Sequence, residues 1–244
     1  MRSLPRFFLS DYEYAKGLYY LSEERLLKHA RKVLRITKGD KVILFDGDGT
    51  SYLSEIQLLT KEVMVAKVLE KTIEDVPEKP QITLAQGLPK AGKIDTILRM
   101  NTEIGVSRFV LFESDYSVVK VKHYDDKKMA RLGKVVQEAS RQSLNNFIPE
   151  VVPAMAFNEL ISMKADFKLI LHTDSTENSV IDIKEVKDKM KIDDHVLICI
   201  GPEGGFSETE VNSAITNGFQ LVKLDLPILR TETAGMVVSS FLLI

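Results

Sequence analysis

The chain has 244 residues, of which 44% are hydrophobic and 28% are charged, and its formal net charge is −2. This ordinary composition provides enough apolar material for one large domain or two modest ones. No apolar run is long enough to cross a bilayer, the N-terminal residues lack a signal-peptide pattern, and a single cysteine excludes an internal disulfide, so we expect a cytoplasmic protein.

Positive charge is concentrated near the N-terminus. Residues 1–41 hold ten Lys/Arg against five Asp/Glu, a local excess of +5, so the remaining chain carries −7. The excess is densest in one basic cluster, which consists of Lys28, Arg31, Lys32, Arg35 and Lys38. Charge alone leaves two interpretations open, a solvated helix face or a patch that contacts phosphates.

The first 74 residues predict a small β-rich domain with one helix. Ser22 is a candidate N-cap for that helix. Its apolar face would hold Leu26, Leu27, Ala30, Val33 and Leu34. Three strands follow at Lys41–Phe45, Tyr52–Leu58 and Val63–Leu69, with a turn at 46–49 joining the first two.

A charged segment with two prolines, residues 74–80, reads as a linker, and we place the second domain at 75–244. Strand-like and helix-like segments then alternate, which predicts a parallel α/β sheet covered on both faces. The predicted strands are Ile82–Leu88, Phe109–Phe112, Phe167–Leu171, Val196–Ile200 and Leu221–Leu224. The predicted helices contain Ile94–Ile104, Met129–Ser143, Val211–Ile215 and Met236–Ile244.

Ligands of parallel sheets bind in the loops at the carboxyl ends of strands. Here that rule selects three loops: His172-Thr173, Gly201–Phe206 and Pro227–Thr233.

The sequence Gly201-Pro202-Glu203-Gly204-Gly205-Phe206 is the strongest local signal. Three glycines permit close approach of a ligand to the backbone, although a tight strand-to-helix turn is the simpler interpretation. The spacing matches neither a P-loop nor a Rossmann fingerprint. Ser207 and Glu210 then form a capping box for the next helix.

A second signal is the polar run Arg230-Thr231-Glu232-Thr233 between a buried strand and an apolar helix. Packing does not require these residues there. Thr231 or Thr233 could also serve as an N-cap, with Glu232 in the first turn to suit the helix dipole.

The two motifs, GPEGGF and then LPILRTETA, resemble the signature of the RsmE family of SPOUT RNA methyltransferases. Further similar segments are Thr102–Val106, Glu138-Ala139 with Gln142-Ser143, Pro149, and residues 29–47. The resemblance therefore covers almost the whole chain. At three positions the family often has another residue: glycine at Asp225, and arginine at Asn145 and Tyr116.

The resemblance implies a PUA-like β-barrel that binds RNA, followed by a SPOUT domain with a trefoil knot that binds S-adenosylmethionine and works as a homodimer. The implied reaction is methylation of N3 of a uridine in 16S rRNA, free or in the small subunit. The implied cofactor residues are Leu171, His172, Gly201, Glu203, Gly204, Leu224, Leu229, Arg230, Thr231, Thr233 and Ala234. The expected RNA contacts are Arg6, Lys28, Arg31, Lys32, Arg35, Lys120 and Arg141.

Uridine N3 is a poor nucleophile until its proton leaves, so the site needs a base or a cation that stabilises the anion. Arg230 is the candidate cation, while Glu203 and Glu232 are candidates for a base or an orienting acceptor. Four dispersed histidines and one cysteine predict no metal site. Two alternatives remain: an RNA-binding protein without catalysis, and a SPOUT enzyme that acts on tRNA or on a ribose 2′-hydroxyl.

Overall fold

The computed structural model describes residues 4–90, 92–172 and 180–244. Contacts divide the chain into two compact units. The first unit comprises Met1–Val76 and Ser140–Ile148, and the second comprises Pro77–Ala139 and Pro149–Ile244. Within the described ranges, no helix has the length and apolar character needed to span a membrane.

The first unit is built on a six-stranded sheet in the order β1-β4-β5-β6-β3-β2. Only the β1–β4 pair is parallel. The three predicted strands are confirmed as β4, β5 and β6, whereas β1 to β3 are only three or four residues long and do not stand out in the sequence. The strands are β1 Arg6–Phe8, β2 Tyr12–Ala15, β3 Leu18–Leu21, β4 Lys41–Phe45, β5 Thr50–Leu59 and β6 Met64–Ile73.

Helix α1 (Glu24–Lys32) packs Leu27 and Ala30 into the core of the first unit. The predicted cap is wrong: Glu23 holds the N-cap position without a side-chain bond. The Ser22 hydroxyl instead donates to Asp11, 3.4 Å away.

The predicted apolar face also extends too far along the chain. Val33 and Leu34 follow the helix and are 66% and 36% exposed. The backbone turns at Arg35, where φ is +55°, and brings Ile36 into the core instead. A left-handed residue after a helix ends it in this way.

The turn after β4 is held by Asp46, whose carboxylate accepts hydrogen bonds from the backbone N–H groups of Asp48 and Thr50 at 2.9 and 3.0 Å. Gly49 has φ +96°, and a Cβ there would lie 2.6 Å from the ring of Phe147. Segment Ser140–Ile148 thus returns to the first unit, whereas the boundary drawn from the sequence assigns it to the second domain. A contact made about a hundred residues later leaves no trace in local periodicity.

The second unit has a seven-stranded sheet in the order β11-β13-β10-β12-β7-β8-β9, and every neighbouring pair is parallel. The predicted parallel α/β sheet is confirmed, with two additional strands, β9 and β11. The strands are β7 Gln81–Gly87, β8 Arg108–Glu113, β9 Glu150–Ala156, β10 Phe167–Leu171, β11 Ile181–Asp182, β12 His195–Ile200 and β13 Gln220–Lys223.

Helices connect these strands, and the predicted capping box between Ser207 and Glu210 is confirmed. The last helix begins at Thr231 rather than at Met236, with Arg230 at the N-cap position. Thr231 and Thr233 are therefore not caps. The helices are α2 Lys93–Ile104, α3 Asp126–Gln142, α4 Phe157–Ile161, α5 Ile183–Lys189, α6 Glu208–Thr216 and α7 Thr231–Leu243, with a 3-10 turn at Val121–His123.

Candidate functional site

Three neighbouring strands of the second unit, β13, β10 and β12, end at one cleft. The cleft has a volume of about 750 Å³, within the range of roughly 300–1,000 Å³ typical of small-molecule sites. The predicted loops meet there, although Thr173 lies outside the described residues. Of the predicted cofactor residues, the cleft is lined by Leu171, His172, Gly201, Glu203, Gly204, Leu224, Leu229, Arg230, Thr231 and Ala234.

The glycine-rich loop folds back on itself as it leaves β12. The N–H of Gly205 donates to the carbonyl of Pro202 at 3.0 Å. Gly205 has φ +71° and no heavy atom within 4 Å of the position that a Cβ would occupy. The loop therefore presents bare backbone to open space, as the close approach of a flat ligand requires.

The outer side of this loop packs against the segment that follows β8. A Cβ on Gly204 would lie 2.9 Å from the Cβ of Tyr116. Beneath them, the buried Glu210 carboxylate accepts hydrogen bonds from the Ser114 hydroxyl and from the Asp115 N–H, each at 3.0 Å. Glycine at 204 is thus required by the protein's own packing.

The glycine-rich loop is joined to α7 by a buried hydroxyl. Thr231 donates to the carbonyl of Gly201 at 2.6 Å and accepts a hydrogen bond from Gln86 Nε2 at 2.9 Å. Gln86 is fully buried at the end of β7, and its Oε1 has no partner among the described residues. The hydrogen bonds of Thr231 therefore fix the glycine-rich loop relative to the segment that leads into α7.

Lys93, the first residue of α2, connects the same two loops at the surface. Its ammonium lies 3.0 Å from Glu203 Oε1 and 3.0 Å from Glu232 Oε2. The backbone N–H of Lys90 also donates to both oxygens of Glu203, at 3.2 Å each.

These contacts change the acidity of all three groups. Hydrogen bonds with Glu203 and Glu232 raise the pKa of Lys93. Burial raises the pKa of Glu203, but hydrogen bonds from its own N–H, from Lys93 and from Lys90 outweigh it, and the pKa is lowered. The bond from its own N–H, opposed by burial and supported by Lys93, lowers the pKa of Glu232. Both carboxylates are weakened as bases.

Arg230 is exposed at the edge of the cleft, and no ion pair among the described residues includes it. His172 is half-buried, and its backbone N–H donates to Val222 at 3.3 Å. Thr233 lies in the first turn of α7 but does not line the cleft.

The predicted RNA contacts lie in both units. The basic cluster sits on α1 and in the residues that follow it, where all members except the half-buried Arg31 are exposed. Arg6 is half-buried, donates to Asn146 and lies 4.9 Å from the ring centre of Phe45, which disfavours a phosphate contact. Lys120, in the second unit, pairs with Glu113 at 3.0 Å, and Arg141 belongs to the first unit.

The three departures from the family pattern have separate surroundings. Asp225 is exposed next to the cleft-lining Leu224. Asn145 accepts a hydrogen bond from the N–H of Phe147 at 2.9 Å within the first unit. Tyr116 is 53% exposed beside Gly204.

Sequence reasoning missed two residues of this site, Lys93 and Gln86. A glutamine inside a buried apolar strand is a recognisable signal, since a buried amide must find hydrogen-bond partners. Lys93 gave no signal, because its partners are more than a hundred residues away.

The sequence comparisons agree with this geometry. Residues 77–243 match the family model of an RNA methyltransferase domain, and residues 23–69 match that of an RNA methyltransferase PUA domain. The ribosomal RNA small subunit methyltransferase E of Bacillus subtilis is 32% identical over 215 residues, covering 85% of this chain and 83% of that protein. That of Buchnera aphidicola from Acyrthosiphon pisum is 28% identical over 240 residues, covering 97% and 91%.

Solved structures extend the likeness to the whole fold. The small subunit methyltransferase E of Neisseria gonorrhoeae bound to S-adenosylmethionine has a TM-score of 0.84 and 27% identity, covering 98% of this chain and 96% of that one. A Legionella pneumophila chain with the same bound cofactor has a TM-score of 0.87 and 27% identity, covering 99% and 97%.

A parallel sheet whose strand-end loops enclose a cleft of this kind, accompanied by a PUA domain, defines an RNA methyltransferase. Within that class, the chain belongs to the RsmE family, the ribosomal RNA small subunit methyltransferases E.

Proposed function

We propose that this protein transfers the methyl group of S-adenosylmethionine to N3 of a uridine in 16S rRNA of the small ribosomal subunit. The observation that carries the proposal is the meeting of Gly201–Phe206 with residues 224–231 in one cleft of a chain from this family. Catalysis is favoured over RNA binding alone because both motif loops line one open cleft.

The residues of the cleft fit S-adenosylmethionine. Aliphatic side chains such as Leu171, Ile200 and Leu229 line it beside the exposed backbone of the glycine-rich loop, which suits a flat adenine. The cofactor supplies an electrophilic methyl group on a sulfonium sulfur.

The chain's own residues must activate the uracil. We assign Arg230 to stabilise the negative charge that develops on the uracil oxygens when the N3 proton passes to solvent water. A guanidinium stays charged at neutral pH and cannot act as the base. Because the pKa values of Glu203 and Glu232 are lowered and Lys93 is their partner, we assign both to orientation rather than to proton removal.

We further infer that residues 75–244, apart from the returning segment Ser140–Ile148, form the SPOUT domain with its trefoil knot. We also infer that the protein is a cytoplasmic homodimer that needs no metal. The apolar character of α7 supports a packed C-terminal surface. The basic cluster of the first unit supports an anchoring role toward rRNA phosphates. Light scattering that gave a monomer mass at micromolar concentration would contradict the dimer.

The test is methylation of 16S rRNA and of assembled small subunits with labelled S-adenosylmethionine, followed by mass mapping of the product. We expect one methyl group on N3 of one uridine. A 2′-O-methyl product, or methylation of tRNA instead, would overturn the proposal. Arg230→Ala should lose at least about a hundredfold in turnover while RNA affinity is retained, and Arg230→Lys should recover only part of the loss.

A further inference from the structure

Four of the seven tyrosines lie together on one side of the sheet of the first unit. The ring centres of Tyr12, Tyr14 and Tyr52 lie 5.2, 4.7 and 5.1 Å from that of Tyr19. We call these four residues the tyrosine patch. Tyr19 is only 5% exposed, whereas Tyr12 is 47% and Tyr14 is 57% exposed.

Core packing accounts for Tyr19 but not for its two outer neighbours. Tyr12 and Tyr14 belong to β2, the edge strand of the sheet, in which all four residues are exposed. The register pairs Tyr14 with Tyr19, so both rings face the same side, and Tyr12 follows at the alternate position. Their rings are thus held in place by aromatic contacts while about half of their surface faces water.

The charges around the patch are separated by the pleat of the sheet. Lys71 is paired with Tyr52, and its ammonium lies 5.9 Å from the ring centre of Tyr52. Alternation along the strands turns the neighbouring carboxylates to the other side of the sheet. These carboxylates are Glu13, Glu55 and Glu70.

We propose that the tyrosine patch binds unpaired RNA bases by stacking, with Lys71 placed to attract the adjoining phosphates. The inference rests on the proposed function in that RNA is the substrate. Fixed aromatic rings beside a cation match single-stranded nucleic acid, because every base offers a flat face. Paired bases cannot use the patch, since their faces are covered by their neighbours in the helix.

A peptide strand added to the edge at β2 is a different partner, and the observations favour it less. The edge offers only four residues for backbone pairing. Such pairing would also depend on backbone groups and not on the rings.

The experiment compares the double variants Tyr12→Ser/Tyr14→Ser and Tyr12→Phe/Tyr14→Phe with the unmodified full-length protein. A fluorescein-labelled single-stranded RNA decamer and a hairpin of matched length serve as probes, and binding is followed by anisotropy. Stacking contributes about fivefold or more per ring, so the serine variant should bind the decamer about 25-fold more weakly. The phenylalanine variant should bind it as the unmodified protein does, and hairpin affinity should change little.

Two internal readouts keep the result decisive. The protein has no tryptophan, so tyrosine quenching by an unlabelled decamer that is lost in the phenylalanine variant assigns the stacking to Tyr12 and Tyr14. A far-ultraviolet circular dichroism spectrum like that of the unmodified protein shows that the serine variant is folded. Equal affinity of the serine and phenylalanine variants, or equal losses for decamer and hairpin, would overturn the proposal.

The experiments can refute the tyrosine patch and the proposed function independently of each other. If the unmodified protein methylates rRNA but the serine variant binds the decamer normally, the patch is refuted and the proposed function stands. If rRNA is not methylated but the serine variant loses decamer affinity, the proposed function fails and the patch stands.

Discussion

Replacing Thr231 by valine tests whether one buried hydroxyl holds the cleft together. Valine has nearly the shape of threonine, so the change removes hydrogen bonds without opening a cavity. Thr231 is 8% exposed, and both of its bonds, to Gly201 and from Gln86, are buried. A buried hydrogen bond contributes about 0.5–1.5 kcal/mol net, so losing both should lower the free energy of unfolding by about 1–3 kcal/mol.

The Thr231→Val change should also weaken cofactor binding. After the change, the carbonyl of Gly201 keeps only a contact of 3.4 Å with Gln86 Nε2, and the glycine-rich loop is released from α7. We expect the affinity for S-adenosylmethionine to fall about tenfold, which corresponds to about 1.4 kcal/mol.

Urea unfolding followed by circular dichroism gives the stability, and calorimetric titration gives the cofactor affinity. Thr231→Ser is the matched control, because it keeps the hydroxyl and removes only a methyl group. We expect the serine variant to retain most of both quantities. Equal stability and equal affinity of the valine and serine variants would refute the idea that the hydroxyl joins the two loops.

Three further predictions concern the rim of the cleft and the RNA surface. Lys93→Met should destabilise the protein by a constant amount between about pH 5 and pH 10, because the carboxylate pKa values are lowered and the lysine pKa is raised. Its effect should fade as the pH falls through the lowered pKa values of Glu203 and Glu232, below the ordinary glutamate value of 4.5. Urea unfolding at a series of pH values measures the effect, and a stability difference that does not shrink as the carboxylates are protonated would contradict the ion pair. Gly204→Val should displace Tyr116 and weaken cofactor binding about tenfold or more, and unchanged affinity by calorimetry would contradict that packing. Changing Arg31, Lys32 and Arg35 of the basic cluster to Glu should raise the KM for RNA at least tenfold and flatten its salt dependence, with cofactor affinity unchanged. Filter binding of RNA at several salt concentrations tests this prediction.

Local patterns predicted the elements that carry the site. The apolar runs of β10, β12 and β13 and the capping box at Ser207 are set by neighbouring residues, so the positions of the cleft loops followed from the sequence. The end of α1 did not, because Val33 and Leu34 continue the helical periodicity while the backbone turns away at Arg35. Periodicity records which residues are apolar, not where the chain leaves the helix.

Contacts between distant residues could not be predicted from the sequence, for a different reason. The ion pair of Lys93 with Glu232 joins residues 139 positions apart, and the hydroxyl of Thr231 reaches Gly201 across 30 positions. Each residue alone fits a surface charge or a helix cap equally well. Only the parallel order of the strands brings them together, and that order is a property of the whole sheet.

The return of Ser140–Ile148 to the first unit has a consequence for the order of events during synthesis. At about 5–20 residues per second, a ribosome needs roughly 3–13 s to add the residues between Val76 and Ser140. During that interval the nascent first unit lacks Phe147 against Gly49 and Ile148 on the carbonyl of Gly47. Its β4–β5 turn therefore waits for a segment made after two of the seven strands of the second unit's sheet have been translated, so the first unit cannot reach its final structure until part of the second has been made.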